Sequence, residues 1–310
     1  MKVTIQQAAN LLNDGFVVAV PTETVYGLAA SLRHPQAIQK IFSYKNRPLD
    51  NPLITHVADI SAISEFIDQY PPGFMELATA FWPGPITFVL PIKEGSIPSI
   101  VTAGLSTAAF RVPNHVEAVK LLKKTGPLVM PSANISGRPS STTTAHVESD
   151  FGSEFPVVDG GGCKHGLEST VLIFRDGRWI IGRLGAISAR DIEKILRYQP
   201  EFSIGKSQKP ACPGQKYRHY APRAQLFLGG EVPTNCRCIL GFDDRKYLRD
   251  ANVIFLGTTS DPMSVANRLY DTLRHLDAVG LETAWVDMDF PHEGLWRTIR
   301  ERLEKAAGEL

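Results

Sequence analysis

Side chains able to hold or move a charged group collect in five stretches of this 310-residue sequence. The first, PTETVYGLAA at 21–30, follows the apolar run FVVAV and carries Thr22, Glu23, Thr24 and Tyr26 off the end of a strand. Loops at that end of an α/β sheet line its ligand crevice, although a capped strand-to-helix turn would read the same. The second, YKNRPLDNPLITH at 44–56, sets Lys45 and Arg47 at a helix end on proline-stiffened backbone, with His56 closing the next strand. A lysine point charge beside an arginine fork suits a polyphosphate and can neutralise charge growing on departing pyrophosphate. The same cations would also suit the negative end of the helix. The third, STAAFRVPNH at 106–115, buries Arg111 in an apolar strand, so it needs an anion, either a substrate carboxylate or an internal Asp or Glu.

The fourth stretch, PLVMPSANISGRPSSTTT at 127–144, ends a strand in a loop of hydroxyls and amides that can turn donors toward phosphate oxygens. It is not a Walker loop, because G-x-x-x-x-G-K-[ST] occurs nowhere in the chain. The fifth, VVDGGGCKHGLESTVLIF at 157–174, joins a glycine-rich turn to a strand opened by Ser169 and Thr170, with Arg183 on the following IIGRLG run. Gly160, Gly161 and Gly162 permit close approach, either of a ligand or of a neighbouring strand. Cys163, Cys212, Cys236 and Cys238 fit no zinc spacing, and reduced thiols are the expected state.

The elements that must position these groups follow from short β-rich runs alternating with helical ones. Strands are expected at 16–20, 52–57, 86–92, 106–112, 127–131, 169–174 and 179–185, and helices at 35–44, 73–81, 114–124 and 188–197, the last capped by Ser188. That is an α/β domain built on one large, twisted mixed sheet over residues 1–200. Residues 201–223 lose all apolar period and read as a linker. Beyond it, QLFLGG, RCILGF, NVIFLG and TAWVDMD alternate with helices near 261–276 and 293–307, predicting a smaller Rossmann-like parallel sheet over 224–310. No G-x-G-x-x-G follows its strands, so that half is expected to regulate or to position a lid.

With 33 basic and 32 acidic side chains the formal charge is +1, and no global field draws in RNA or an anionic membrane. No leader and no apolar membrane span are evident in the sequence, and a cytoplasmic enzyme is expected.

PTETVYGL, KNRPLDNPL, FWPGPIT, RVPNH, PSANISG and GLESTV, in that order, followed by PGQKYRHYAP in the linker, resemble the YrdC-type L-threonylcarbamoyl-AMP synthases in their longer form. The resemblance implies a YrdC-like first domain that converts L-threonine, bicarbonate and ATP to threonylcarbamoyl-adenylate and pyrophosphate, for transfer by a partner machinery to an adenosine of tRNA. By motif position it implies that Thr24, His56, Arg111 and Ser169 hold threonine, with Arg111 on the carboxylate. Lys45, Arg47, Asn51, Thr107, Ser132, Asn134, Ser140, Ser141 and Arg183 would face ATP, and Tyr217, Arg218, His219 and Tyr220 would form a lid. Mg2+ would arrive with ATP, held by phosphates and water, with no protein ligands of its own. Attack on an α-phosphorus asks for positioning and charge neutralisation, so no Ser-His-Asp or Cys-His arrangement is needed. An RNA-binding factor that uses the basic concave face and a carbamoyl-adenylate-forming enzyme are the alternatives; the low net charge and the lack of an RNP or KH signature count against the first, leaving at most a weak RNA contact, and the missing zinc-finger cysteines count against the second. Cutting the chain after about residue 204 is expected to cripple synthesis and leave the first domain folded.

Overall fold

The computed structural model describes residues 1–203, 219–234, 236–247 and 252–309. The chain opens with β1 (Lys2–Val3) and α1 (Ile5–Asn13). A reciprocal cap fixes the start of α1: Thr4 Oγ1 accepts from the Gln7 amide, and the Gln7 side chain accepts from the Thr4 amide. Then come β2 (Val18–Val20), β3 (Gly27–Ser31), α2 (Pro35–Lys45), β4 (Ile54–His56), α3 (Phe74–Phe81), β5 (Ile86–Pro91), α4 (Ser99–Thr102) and β6 (Thr107–Arg111). The unit finishes with α5 (Val116–Thr125), β7 (Leu128–Val129), α6 (Thr144–Phe151), β8 (Val157–Val158), β9 (Thr170–Arg175), β10 (Arg178–Arg183) and α7 (Ala189–Leu196), whose N-cap is Ser188.

Ten of these strands form one mixed sheet in the order β1-β8-β2-β3-β7-β4-β6-β5-β9-β10. Alternate residues divide between its two faces: Val18, Val20 and Ala29 join one apolar cluster, while Ala19, Leu28 and Ala30 join the other. PTETVY is a strand-to-strand connection here and GLAA opens β3, since β2 and β3 pair antiparallel rather than handing over to a helix. Asp176 and Gly177, at φ 51° and 77°, close the β9–β10 hairpin with the positive dihedrals that match strand twist. After α7 the chain returns to β10: Glu201 O accepts from the Ile181 amide and Ile181 O from the Ser203 amide. The segment expected to begin a free linker therefore starts as an extension of the sheet.

The second unit comprises β11 (Gln225–Leu228), β12 (Ile239–Phe242), β13 (Val253–Gly257), α8 (Pro262–Ala278), β14 (Thr283–Val286) and α9 (Leu295–Ala307). Its four strands are all parallel, in the order β11-β14-β12-β13. Its apolar core is shared, because Val25 and Leu167 of the first unit pack into it together with Tyr220. Gly166 makes that approach possible: at φ 70°, a Cβ there would stand 2.5 Å from the Ala266 carbonyl oxygen of α8.

Candidate active site

At the end of the large sheet where β4 and β6 finish, the first unit together with His219 and Tyr220 lines a hollow. Each strand delivers its last side chain there: His56 ends β4, Arg111 ends β6, and the two residues are in register. Arg111 is buried. Its Nη1 donates to Thr24 Oγ1 at 2.9 Å, its Nε to Gly84 O at 3.3 Å, and its Nη2 lies 2.6 Å from Glu23 Oε1. The anion that the strand arginine needs within the protein is thus Glu23. Burial works to raise the Glu23 carboxyl, but the Arg111 guanidinium outweighs it and holds the group below its usual range. His56 is kept neutral, first by burial and then by the charge of Arg111.

On the facing wall, Lys45 is the last residue of α2, yet its ammonium does not serve that helix end. It crosses to the loop after β7 and donates to Ser132 O at 2.5 Å and Asn134 O at 2.6 Å. Burial, then the neighbouring Arg47, pushes its pKa well below that of an ordinary lysine. Arg47 is steered by the proline-stiffened turn that follows it, donating from Nε to Asn51 O at 3.2 Å and from Nη2 to Pro52 O at 2.9 Å. Ser169, next to β9, shares a 2.8 Å hydrogen bond with Thr87 on β5, and Arg183 of β10 donates to the Ser169 carbonyl at 2.9 Å.

Of the residues assigned to threonine, Thr24, His56, Arg111 and Ser169 all line this one hollow. Of those assigned to ATP, Lys45, Arg47, Ser132, Asn134, Ser140 and Arg183 line it as well. Asn51, Thr107 and Ser141 do not. Asn51 contributes through its backbone, as the acceptor for Arg47. Thr107 begins β6, opposite Pro91 and at the far end from Arg111. The Ser141 hydroxyl is spent on Ala133 O at 2.6 Å. Within the lid segment, His219 and Tyr220 line the hollow, whereas Tyr217 and Arg218 lie outside the described residues. Tyr220 adopts φ 65°, and Ala221 donates to Gly137 O at 2.8 Å, pinning the segment to the loop after β7. Burial lowers His219 to about 3, so it presents a neutral ring.

In the glycine-rich turn, Gly160 is pressed against protein, whereas Gly161 and Gly162 border open space. A Cβ on Gly160 would meet Pro21 Cγ at 2.5 Å, and Tyr26 Oη bridges the Gly160 amide and the Gly161 carbonyl. Cys163 is buried and its thiol is pushed up to about 12 by burial, which removes it as a nucleophile. Among the described residues no cluster of His, Cys, Asp or Glu has the form of a metal site.

Sequence reasoning passed over the polar residues that join the units. Glu168 lines the hollow and accepts from Ser140, Tyr270 and Arg302. Arg274 donates to Pro139 O at 2.6 Å and to both oxygens of the buried Asp150, which also holds Arg138. A usable signal existed: Arg302 stands three residues after Ile299 and four before Ala306, on the apolar stripe of α9, where an unpaired guanidinium is costly.

Residues 10–185 match the Sua5–YciO–YrdC family, described as "Telomere recombination", and residues 187–308 match "Threonylcarbamoyl-AMP synthase, C-terminal domain". Threonylcarbamoyl-AMP synthase of Bacillus subtilis (strain 168) is 37% identical over 98% of this chain and 93% of its own length. The Pyrococcus abyssi enzyme of that name is 36% identical over 98% and 94%. Among solved structures, P. abyssi Sua5 complexed with L-threonine superposes with a TM-score of 0.90 at 33% identity, covering 99% of this chain and 96% of that one. With both units matched in sequence and nearly the whole chain matched in structure, this chain belongs to the Sua5–YciO–YrdC family and, within it, to the long-form threonylcarbamoyl-AMP synthase enzymes.

Proposed function

We propose that the hollow forms threonylcarbamoyl-adenylate and pyrophosphate from L-threonine, bicarbonate and ATP, as a supply for threonylcarbamoyladenosine modification of tRNA. The observation that carries this reading is convergence: Lys45 and Arg47 from one segment, and Arg111, Ser132 and Arg183 from three others, line one hollow. The threonine amine adds to bicarbonate with loss of water, giving a carbamate. A carbamate oxygen then attacks the α-phosphorus, the bond to the bridging oxygen of the β-phosphate breaks, and pyrophosphate leaves.

Thr24, His56, Arg111 and Ser169 mark the threonine end. A neutral His56 and the hydroxyls of Thr24 and Ser169 suit the amine and side-chain hydroxyl, and Arg111 would hold the carboxylate alongside Glu23. Arg47, Lys45 and Arg183 mark the phosphate end, where fixed donors offset charge developing on the leaving group. Asn51, Thr107 and Ser141 would act there only indirectly. His219 and Tyr220 roof the hollow, and excluding water there protects an adenylate from hydrolysis. Mg2+ would be carried by the triphosphate: Glu168 is the one carboxylate lining the hollow among the described residues, and both of its oxygens are taken. This chemistry would take place in the cytoplasm, with delivery of the adenylate to a tRNA-modifying partner.

Pyrophosphate release measured with and without threonine and with and without bicarbonate tests the assignment. Release that requires both is expected. Equal release without threonine, or tight salt-sensitive RNA binding with no release, would overturn it.

A further inference from the structure

Glu168 is held from three directions, and the three belong to different parts of the chain. Its Oε1 accepts from the Ser140 hydroxyl at 2.6 Å, on the loop after β7. Its Oε2 accepts from the Tyr270 hydroxyl of α8 at 2.8 Å and lies 3.2 Å from Arg302 Nε of α9. Arg302 is itself completely buried and also donates to Leu184 O at 2.6 Å, so its guanidinium cannot swing away without stranding a charge. The two donors from the second unit also secure the roof: Tyr270 stacks on Tyr220 with centroids 5.3 Å apart, and Arg302 lies 4.8 Å over the same ring.

We propose that Glu168 is a positioning residue for adenylate formation, fixing the Ser140 hydroxyl on the nucleotide side of the hollow in an orientation that Tyr270 and Arg302 set from the second unit. The inference rests on the function proposed above. Two donors on Oε2 fix the plane of the carboxylate, and charge-assisted hydrogen bonds of this length are directional. Oε1 is then left with one place to be, and Ser140 follows it. Burial of Glu168 would favour the neutral acid, but Arg302 and Arg183 outweigh it and keep the carboxylate charged. The C-terminal unit is on this account part of the catalytic geometry, since it supplies the donors that aim a residue it does not touch.

The Ser140 and Tyr270 hydroxyls bind different oxygens of one carboxylate, so each reaches the other through Glu168, and a double-mutant cycle reads that communication. Pyrophosphate release is measured for wild type, Ser140→Ala, Tyr270→Phe and the double variant, each also in a Glu168→Gln background, with ATP and threonine varied in turn. Ser140→Ala should raise KM for ATP about tenfold and Tyr270→Phe about fivefold, as expected for hydrogen bonds to a charged acceptor, with KM for threonine moving less than about twofold. The double variant should show about tenfold rather than the fiftyfold product, and Tyr270→Phe should add nothing once Glu168→Gln is present. A tie that merely glues the units together would shift denaturation midpoints and leave the KM values alone. That outcome, multiplying effects, or equal shifts in both KM values would overturn the proposal. Should Glu168→Gln fail to fold, the two hydroxyl deletions carry the test, because each removes a single oxygen. A wild-type enzyme without threonine- and bicarbonate-dependent release would instead reject the proposed function, and the same cycle would then be read on ATP binding by calorimetry.

Discussion

Replacing Arg111 with alanine should damage the protein in two separable ways. Glu23 and Arg111 are 3% and 4% exposed, so the substitution strands a carboxylate in a place that water scarcely reaches. Removing one partner of a buried ion pair costs about 3–5 kcal/mol, or about 6–20 °C in Tm at 2–4 °C per kcal/mol for a domain of this size. Adding Glu23→Gln removes the stranded charge, so the double variant should recover more than half of that loss. Threonine use should not recover, because the guanidinium proposed to meet the substrate carboxylate is still missing. The kcat/KM for threonine should stay about 10–100-fold down in both variants while ATP affinity changes little. Acid sharpens the test. In the wild type the Glu23 carboxyl lies below the ordinary value of 4.5, so its contribution is present above pH 4.5 and is lost as pH falls through the lower folded value. Without Arg111 only backbone amides still oppose burial, the largest influence on the group, so the carboxyl rises and the penalty of Arg111→Ala should shrink as pH falls through the carboxylate range. Urea denaturation of the three proteins at pH 7 and pH 5, beside threonine titrations of turnover, supplies both readings. A double variant no more stable than Arg111→Ala, or threonine use restored together with stability, would refute the assignment of separate roles.

Gly166→Ala should cost about 1–3 kcal/mol, through both the left-handed backbone and the 2.5 Å approach to α8, and should expose the junction between units to limited proteolysis. Asp150→Ala leaves Arg274 without its charge partner in a buried setting and should destabilise by about 3–5 kcal/mol, read by denaturation. Cys163→Ser should leave turnover within twofold, and mass-mapped alkylation of native protein at pH 8 should find Cys163 slower than an ordinary thiol by more than about a hundredfold, because burial holds it protonated. Cutting the chain after about residue 204 should abolish synthesis and also destabilise the first unit, since Val25 and Leu167 lose their apolar cover and Glu168 and Asp150 lose guanidinium partners. A melting curve of the fragment matching that of the first unit in the whole protein would contradict this.

Where local chemistry set the structure, it could be read in the letters. Ser188 caps its helix, Pro35 opens α2, and the apolar runs ending at His56 and Arg111 became neighbouring strands that finish at one place. Elements that tertiary burial decides were harder to see. Every residue of GLAAS in β3 is buried, so both faces are covered and no alternation marks it as a strand. The two-residue strands β1 and β8 are too short to carry a period. The Thr4–Gln7 capping box of α1 is legible in the letters, yet α1 is absent from the helices expected above. In the site, the cations announced themselves by standing in apolar or proline-rich surroundings. The Glu23 partner of Arg111 did not, because Glu23 is one of 32 acidic side chains and lies far upstream in the β2–β3 connection, which only the folded sheet brings to the end of β6. Glu168 looked like an ordinary strand-leading acid, and its partners lie 102 and 134 residues downstream, beyond any local pattern.

That separation has a consequence for how the molecule is made. At about 5–20 residues per second, a nascent chain that has just released Glu168 from the ribosome waits roughly 7–27 seconds for Arg302 to be synthesised. For most of that interval, once β9, β10 and Arg183 have followed, the first unit has its strands and its cations but neither the guanidinium that tames its inner acid nor the apolar lid over Val25 and Leu167. Translation order alone thus delays a finished cleft until almost the last helix has left the tunnel, and it names the half-built protein, with its bare notch and unpaired carboxylate, as the stage most in need of a chaperone.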